Sequence, residues 1–403
     1  MKKYSILILF LLIGLAVQAN SILIPMDDLQ RDHLKAYGLA YYSIKHDVVV
    51  QWLLNYRGGS FLIPFSASIQ SECMVRGVSY ELISSAKEHA ILTEISAPAV
   101  NMDVVRLETA PNIAVYSPKN ELVTDDTDAV ILVLDYAEIP YTIVYDEEII
   151  NDELIKYDWL HLHHEDFTGQ QGRFLRRESD VIQSRIQEAT AVRLGFNSVR
   201  EMKLVVAKKI KAFCAGGKYL FAMCSGAETF DIALASENFD VDDESSDLDF
   251  TKSLAFENFV LEPERSRKFS NINTGRMDFY RSEDAYFKLF KFSAKWDLVP
   301  TMLTQNHEYT IKEFSGQTTA FNASVVKLDA LVLAENKGAE NVRYIYGELG
   351  QGHWTYYSGH DPESVPGWHR NKTDLSLHPH SPGYRLILNN VLFPSAKKKK
   401  QKT

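Results

Sequence analysis

The chain is 403 residues long, with 45% hydrophobic and 24% charged residues, the balance of a globular protein with a sizeable core rather than of a disordered or fibrous one. Its net charge of −10 argues against general nucleic-acid binding, and three cysteines, Cys73, Cys214 and Cys224, are too few for a disulfide framework in a chain of this length.

Lys2 and Lys3, an apolar run over residues 6–17 and a Val17-Gln18-Ala19 ending together predict a secretory signal peptide over 1–19. The run is short for a spanning helix, so the expectation is an exported protein, periplasmic or extracellular, without a membrane anchor. Residues 20–108 then alternate strand and helix. Strands are expected at 21–26, 48–56 and 78–83. Helices are expected after a cap at Asp27-Asp28 and over 66–76 and 84–95. The continuous apolar run 48–56 reads as a buried parallel strand, so this segment predicts an open parallel sheet. The turn Arg57-Gly58-Gly59-Ser60 offers a guanidinium and backbone N–H groups to an anion, although glycines serving a tight turn explain it more simply.

A second alternation begins near residue 109. Strands are expected at 112–116, 141–145, 159–163 and 219–223, and helices at 125–137, 181–194 and 198–214. This order predicts a flavodoxin-like, doubly wound parallel sheet whose ligands sit beyond the carboxyl ends of its strands. Residues 237–325 read as a β-rich insertion, with strands at 254–261, 286–293, 299–305 and 308–314 and a solvated acidic stretch at 240–249. Strands return at 330–334, 343–348 and 354–358, and a closing helix spans 384–391. The last residues, 396–403, read as a basic, disordered tail.

Two stretches carry chemistry. The strand 219–223 feeds a helix through Cys224-Ser225-Gly226, a turn that lifts a thiol to a helix N-terminus and favours its thiolate. The plainer alternative is a buried, inert cysteine. Downstream, a strand runs out into Gly359-His360-Asp361-Pro362-Glu363. Elsewhere, His161 and His163 are two apart on a strand and so share a face, with His164 and Glu165 following. Imidazole with carboxylate suits Zn²⁺ or a related cation, whereas the bland alternative is core packing and loop capping.

The Cys224 turn and the His360 segment, in that order, resemble the class I glutamine amidotransferase-like superfamily, and His353 to His360 resembles its ThuA-like branch. The likeness covers residues 111–395 and implies the doubly wound fold. It also implies Cys224 as nucleophile, His360 as its base, and Asp361 or Glu363 as the acid that orients the imidazole. Backbone N–H groups near Ser225, Gly226 and Gly169 would form the oxyanion site. The sequence departs from the amidotransferase pattern at Ala222, where a glycine is usual, and at Glu228, where glutamine is usual. Glutamine recognition is therefore in doubt. Residues 23–28, 55–60, 161–166 and 381–385 also resemble secreted Bacteroidota-type proteins called asparagine synthetase B. The N-terminal cysteine and the Ser-Gly-Gly-x-Asp-Ser loop of a true asparagine synthetase are absent.

Three functions are therefore expected to compete. The first is a cysteine-dependent hydrolase or amidase acting on a small-molecule or peptide-like substrate. The second is a metal- or sugar-binding protein. The third is a non-catalytic binding or assembly protein on the same scaffold. No cofactor is expected for the first, and a divalent metal is the one the histidine strand could take. No nucleic-acid partner is expected.

Overall fold

The computed structural model describes residues 20–119, 128–169, 178–238, 248–257, 260–262, 268–270, 286–312, 320–336, 341–363 and 372–397. The expected signal peptide, most of the acidic stretch and the residues after Lys397 lie outside these. Among the described residues no helix is long and apolar enough to cross a membrane.

The architecture is mixed α/β, built on two sheets with helices. The first contains β1 (Ser21–Ile24), β2 (Val50–Leu54), β3 (Ser60–Pro64), β4 (Glu81–Ile83) and β5 (Asp103–Leu107), in the order β4-β1-β3-β2-β5. Every pairing in it is antiparallel, which corrects the expected parallel sheet. A tight turn joins β2 to β3, and such a turn can link only antiparallel neighbours. The apolar runs misled because both faces of this sheet are covered. Trp52, Leu54 and Phe61 face the core shared with α1 (His33–Lys45). Leu53 and Leu62 meet Ile91 and Ile95 of α3 (Ser85–Ser96), while α2 (Ala67–Arg76) precedes β4. Helix α1 is capped by Asp32, whose side chain accepts from the Lys35 amide at 2.9 Å, and not by Asp27-Asp28. Asp27 instead pairs with Arg57 at 2.7 Å, and Arg57 also meets Glu81 at 2.7 Å, so its guanidinium serves the turn rather than an anion.

The second sheet begins with β6 (Ile113–Tyr116), α4 (Ala129–Tyr136), β7 (Thr142–Val144), α5 (Asp146–Ile150) and β8 (Trp159–Leu162). Helices α6 (Glu178–Arg193) and α7 (Val199–Ala215) follow, then β9 (Tyr219–Met223) and α8 (Cys224–Ala235). Strands β10 (Val260–Glu262) and β11 (Lys268–Ser270) pair apart from it. Next come β12 (Tyr286–Leu289), α9 (Leu298–Leu303), β13 (Thr310–Lys312), β14 (Phe321–Asn322), β15 (Leu331–Asn336), β16 (Asn341–Leu349), β17 (Gly352–Tyr357) and α10 (Pro382–Leu392). The order is β13-β12-β15-β16-β17-β9-β8-β6-β7, with β14 beside β16. From β7 through β17 the pairings are parallel. From β17 outward to β13 they are antiparallel.

Residues 111–235 and 326–395 thus contribute to one sheet, whose outer half is antiparallel. Three strands from the expected insertion, β12, β13 and β14, belong to the same sheet rather than standing apart. The predicted strand at 299–305 is helix α9. Its β-favouring residues are overridden by long-range contacts: Met302 and Leu303 are buried, and Asn389 of α10 donates to the carbonyls of Leu303 (3.1 Å) and Gln305 (2.8 Å). Asp231 on α8 fixes the start of the excursion, accepting amides from Leu254, Ala255 and Phe256 at 2.8–2.9 Å and the Tyr356 hydroxyl at 2.9 Å.

Arg385 on α10 ties the two units together. It is fully buried, and its guanidinium donates to Met26 O, to Gly58 O, to the Tyr37 hydroxyl and to His307 Nδ1. The segments 23–28, 55–60 and 381–385, far apart in sequence, meet at this one side chain.

Candidate functional site

The carboxyl ends of β8, β9 and β17 lie side by side, and each releases a residue of interest. Strand β9 ends at Met223, and Cys224 opens α8 with φ +50°, a left-handed backbone that a residue with a side chain rarely adopts. Met223 pairs with Tyr357 at the end of β17, from which Ser358, Gly359 and His360 continue. Strand β8 runs out into His163 and His164.

Helix α8 is latched to that loop. The Gly226 amide donates to the His163 carbonyl, the Ser225 hydroxyl to the His164 carbonyl at 3.2 Å, and the Thr229 hydroxyl to the Glu165 carbonyl at 2.7 Å. The Gly226 amide is therefore already engaged and is not a free oxyanion donor. A Cβ at Gly226 would lie 2.5 Å from the His163 carbonyl oxygen, so only glycine permits this approach. Gly169, also expected near an oxyanion site, has φ +63° and packs on the backbone of Arg200 at the start of α7. Glu228 is buried on α8.

His360 is oriented from an unexpected direction. Its Nδ1 lies 2.8 Å from His163 Nε2, and His163 Nδ1 lies 2.9 Å from Asp128 Oδ2. Asp128 is the N-cap of α4: its Oδ1 accepts the amides of Val130 at 2.7 Å and Ile131 at 3.1 Å, leaving Oδ2 to face the histidines. The two carboxylates that the resemblance nominates have other work. Asp361 accepts the Tyr384 hydroxyl at 2.7 Å, the Glu363 amide at 2.9 Å and the Thr373 hydroxyl. Glu363 accepts the Ser381 hydroxyl at 2.6 Å and faces His378 at 3.3 Å.

The shared face of the histidine strand is as expected. His161 and His163 both turn toward Asp128, with His161 Nε2 at 3.3 Å from the same Oδ2. His161 packs against both Trp159 and Phe221, which also stack on each other, and its Nδ1 meets the Phe221 carbonyl at 3.1 Å. His164 stacks on His163 and, half-buried, faces His360. Among the described residues, two groups could hold a metal ion: Asp128, His161 and His163, or His163, His164 and His360. Glu165 belongs to neither. It accepts the Tyr145 hydroxyl at 2.8 Å beside the buried Lys203, which in turn meets Asp146 at 3.0 Å and the Tyr116 hydroxyl at 2.8 Å.

Charge states follow from burial. Burial alone would push the Asp128 carboxyl up, but the facing His163 and His161 rings hold it well below the usual carboxylate range. Burial pushes the His163 imidazole down to about 4, with His164 adding to the effect. Burial pushes the Cys73 and Cys214 thiols up to about 12, so both stay protonated at neutral pH. Cys224 is itself fully buried, a feature it shares with the plainer alternative of a buried cysteine.

No protein-family model matches the sequence, and no curated protein matches it. Among solved structures, the chain is similar to a cytoplasmic protein from Salmonella typhimurium (STM3548) at 12% identity, over 72% of this chain and 100% of that one, with a TM-score of 0.39. It is also similar to a cytoplasmic protein from Salmonella typhimurium LT2 (STM1381) at 12% identity, over 71% of this chain and 100% of that one, with a TM-score of 0.35. Likeness at that level leaves function to be argued from the site.

Proposed function

We propose that the protein is a cysteine-dependent hydrolase of C–N bonds, with Cys224 as nucleophile and His360 as its base. The observation that carries this reading is the left-handed backbone of Cys224 at the junction of β9 and α8. Strain of that kind, about 1–2 kcal/mol for a residue with a Cβ, persists where the fold needs a side chain held at one point. Supporting it, the parallel strands run β7-β6-β8-β9-β17. Numbered along the chain, that is the 2-1-3-4-5 order of a flavodoxin-like doubly wound sheet, whose ligands gather at the carboxyl edge.

The histidine pair supplies a proton route. His163 is neutral and keeps a proton on Nδ1, toward Asp128. Its Nε2 then accepts from His360 Nδ1, which leaves a lone pair on His360 Nε2. That nitrogen takes the thiol proton as sulfur attacks an amide carbonyl. It returns the proton to the leaving amine, and water then cleaves the thioester. First-turn amides of α8 other than that of Gly226 would stabilise the oxyanion. Glu228 in place of a glutamine-recognising residue favours a small amide or peptide-like substrate other than glutamine.

Iodoacetamide at mildly acidic pH, read by peptide mass, tests the assignment. Cys224 is expected to label ahead of Cys73 and Cys214, and His360→Ala to slow it at least about tenfold. If Cys224 labels no faster than Cys73, the nucleophile assignment fails.

A further inference from the structure

The contacts between Asp128 and the two histidines of β8 contain a mismatch that a hydrogen-bond scheme does not resolve. The Phe221 carbonyl can only accept, so the contact from His161 Nδ1 at 3.1 Å places a proton on Nδ1. In the neutral ring, Nε2 then carries a lone pair, yet it sits 3.3 Å from a carboxylate oxygen. Two acceptors at that distance repel unless a second ring proton or a metal ion lies between them. His163 Nδ1 approaches the same oxygen at 2.9 Å, and neither nitrogen is aligned for a hydrogen bond. All three side chains are buried, so bulk water does not relieve the repulsion.

We propose that Asp128, His161 and His163 bind a divalent transition-metal ion, with Zn²⁺ the type case. A proton between two donor atoms must lie near the line joining them. A metal lies off that line, at the point where the lone pairs converge. Ligand atoms about 2.0–2.1 Å from a tetrahedral ion are about 3.3 Å from one another, close to the separations of Asp128 Oδ2 from the two nitrogens. The surrounding contacts fit as well. His161 donates its other nitrogen to a backbone carbonyl, and His163 shares its other nitrogen with His360. The second oxygen of Asp128 is pinned by the Val130 and Ile131 amides. Such outer contacts are what orient metal-binding imidazoles and carboxylates. The alternative group of His163, His164 and His360 is less suited, because His163 Nε2 and His360 Nδ1 already share a proton. The set contains no sulfur, but a metal on His163 Nδ1 moves the His163 proton to Nε2, where it donates to His360 Nδ1, so the proton route proposed above belongs to the metal-free chain.

Co²⁺ is the probe. The full chain, stripped with a chelator and incubated at neutral pH, is expected to take up near-stoichiometric Co²⁺. Visible d–d bands should appear without a sulfur-to-cobalt charge-transfer band. X-ray absorption at the cobalt edge should show two imidazoles with oxygen and no sulfur. His161→Gln is expected to lose at least about tenfold in affinity, since outer-contact changes alone already cost 10–100-fold, while Cys224→Ser binds as wild type. If the variant does not fold, the wild-type edge spectrum still decides. Failure of the wild-type chain to take up Co²⁺, a sulfur ligand, or unchanged binding by folded His161→Gln would overturn the site. So would a nitrogen NMR spectrum showing His161 doubly protonated in protein incubated with excess Zn²⁺.

Discussion

His360 Nδ1 stands 2.8 Å from His163 Nε2, so the imidazole at the end of β17 is oriented by a second imidazole and, behind it, by Asp128. Asp128 is a carboxylate at one remove from His360, in addition to Asp361 or Glu363, which the resemblance implies for that role. His163 is thus a positioning residue for His360. His163→Phe keeps a ring in place but removes the acceptor, so His360 loses the partner that fixes its tautomer. Cys224 alkylation is expected to slow at least about tenfold and to lose the part of its pH profile that His360 sets. A slowed rate with an unaltered profile would mean His163 is structural only.

Gly226 governs how closely α8 approaches His163. An alanine there would place its Cβ 2.5 Å from the His163 carbonyl oxygen and 3.0 Å from His163 N and C, all backbone atoms that cannot swing aside. In an unconstrained helix, glycine to alanine gains up to about 1 kcal/mol. Here the expected result is a loss of about 1–3 kcal/mol from overpacking, read as a lower urea midpoint. A stabilised Gly226→Ala protein would show that the latch between α8 and the β8 loop is not tight.

Much of this site was legible because its parts are local. Strand β9, the turn at Cys224 and the shared face of His161 and His163 follow from short-range periodicity. Asp128 was not legible: Asp125, Asp126 and Asp128 all precede an apolar helix, and only the pairing of β6 with β8 singles out the one that faces the histidines. The resemblance nominated Asp361 and Glu363, and the fold engages them with Tyr384 of α10 and with Ser381, the N-cap of that helix. The direction of the first sheet was hidden for a different reason. An apolar run reports burial on both faces, and α1 and α3 cover both faces of an antiparallel sheet here.

The junction between the two units carries its own pH dependence. His33 is buried on α1, with Arg385, His307 and His380 around it and the Met26 and Asp27 carbonyls accepting from its Nε2. Burial, reinforced by the Arg385 charge, pushes its imidazole down to about 2. The folded pKa lies below the unfolded value, so the unfolded chain binds the extra proton. This contribution to stability is whole above about pH 6.5 and is lost as pH falls below it, by about 1.4 kcal/mol per pH unit. Asp32, raised by burial, acts with the opposite sign, but it is present in both proteins, so their difference reports His33. Between about pH 7.5 and 5.5, His33→Gln is expected to remove about 1.4 kcal/mol of the wild-type loss in urea unfolding. An equal slope in both proteins would mean His33 is protonated in the fold.

The strained backbone at Cys224 can be measured without reference to activity. In an ordinary helical position, alanine is more stable than glycine by about 0.8–1.0 kcal/mol. At φ +50° the order should reverse, because glycine alone adopts the left-handed region without a Cβ penalty of about 1–2 kcal/mol. Cys224→Gly is therefore expected to be at least as stable as Cys224→Ala, and Cys224→Val less stable than either, since a branched Cβ fits that region worst. All three remove the thiol, so differences among them report the backbone and the small change in buried volume rather than sulfur chemistry. Urea midpoints on the three variants decide the matter. If Cys224→Ala exceeds Cys224→Gly by the usual helical margin, the residue sits in relaxed helix, and the proposed nucleophile loses the observation on which it rests.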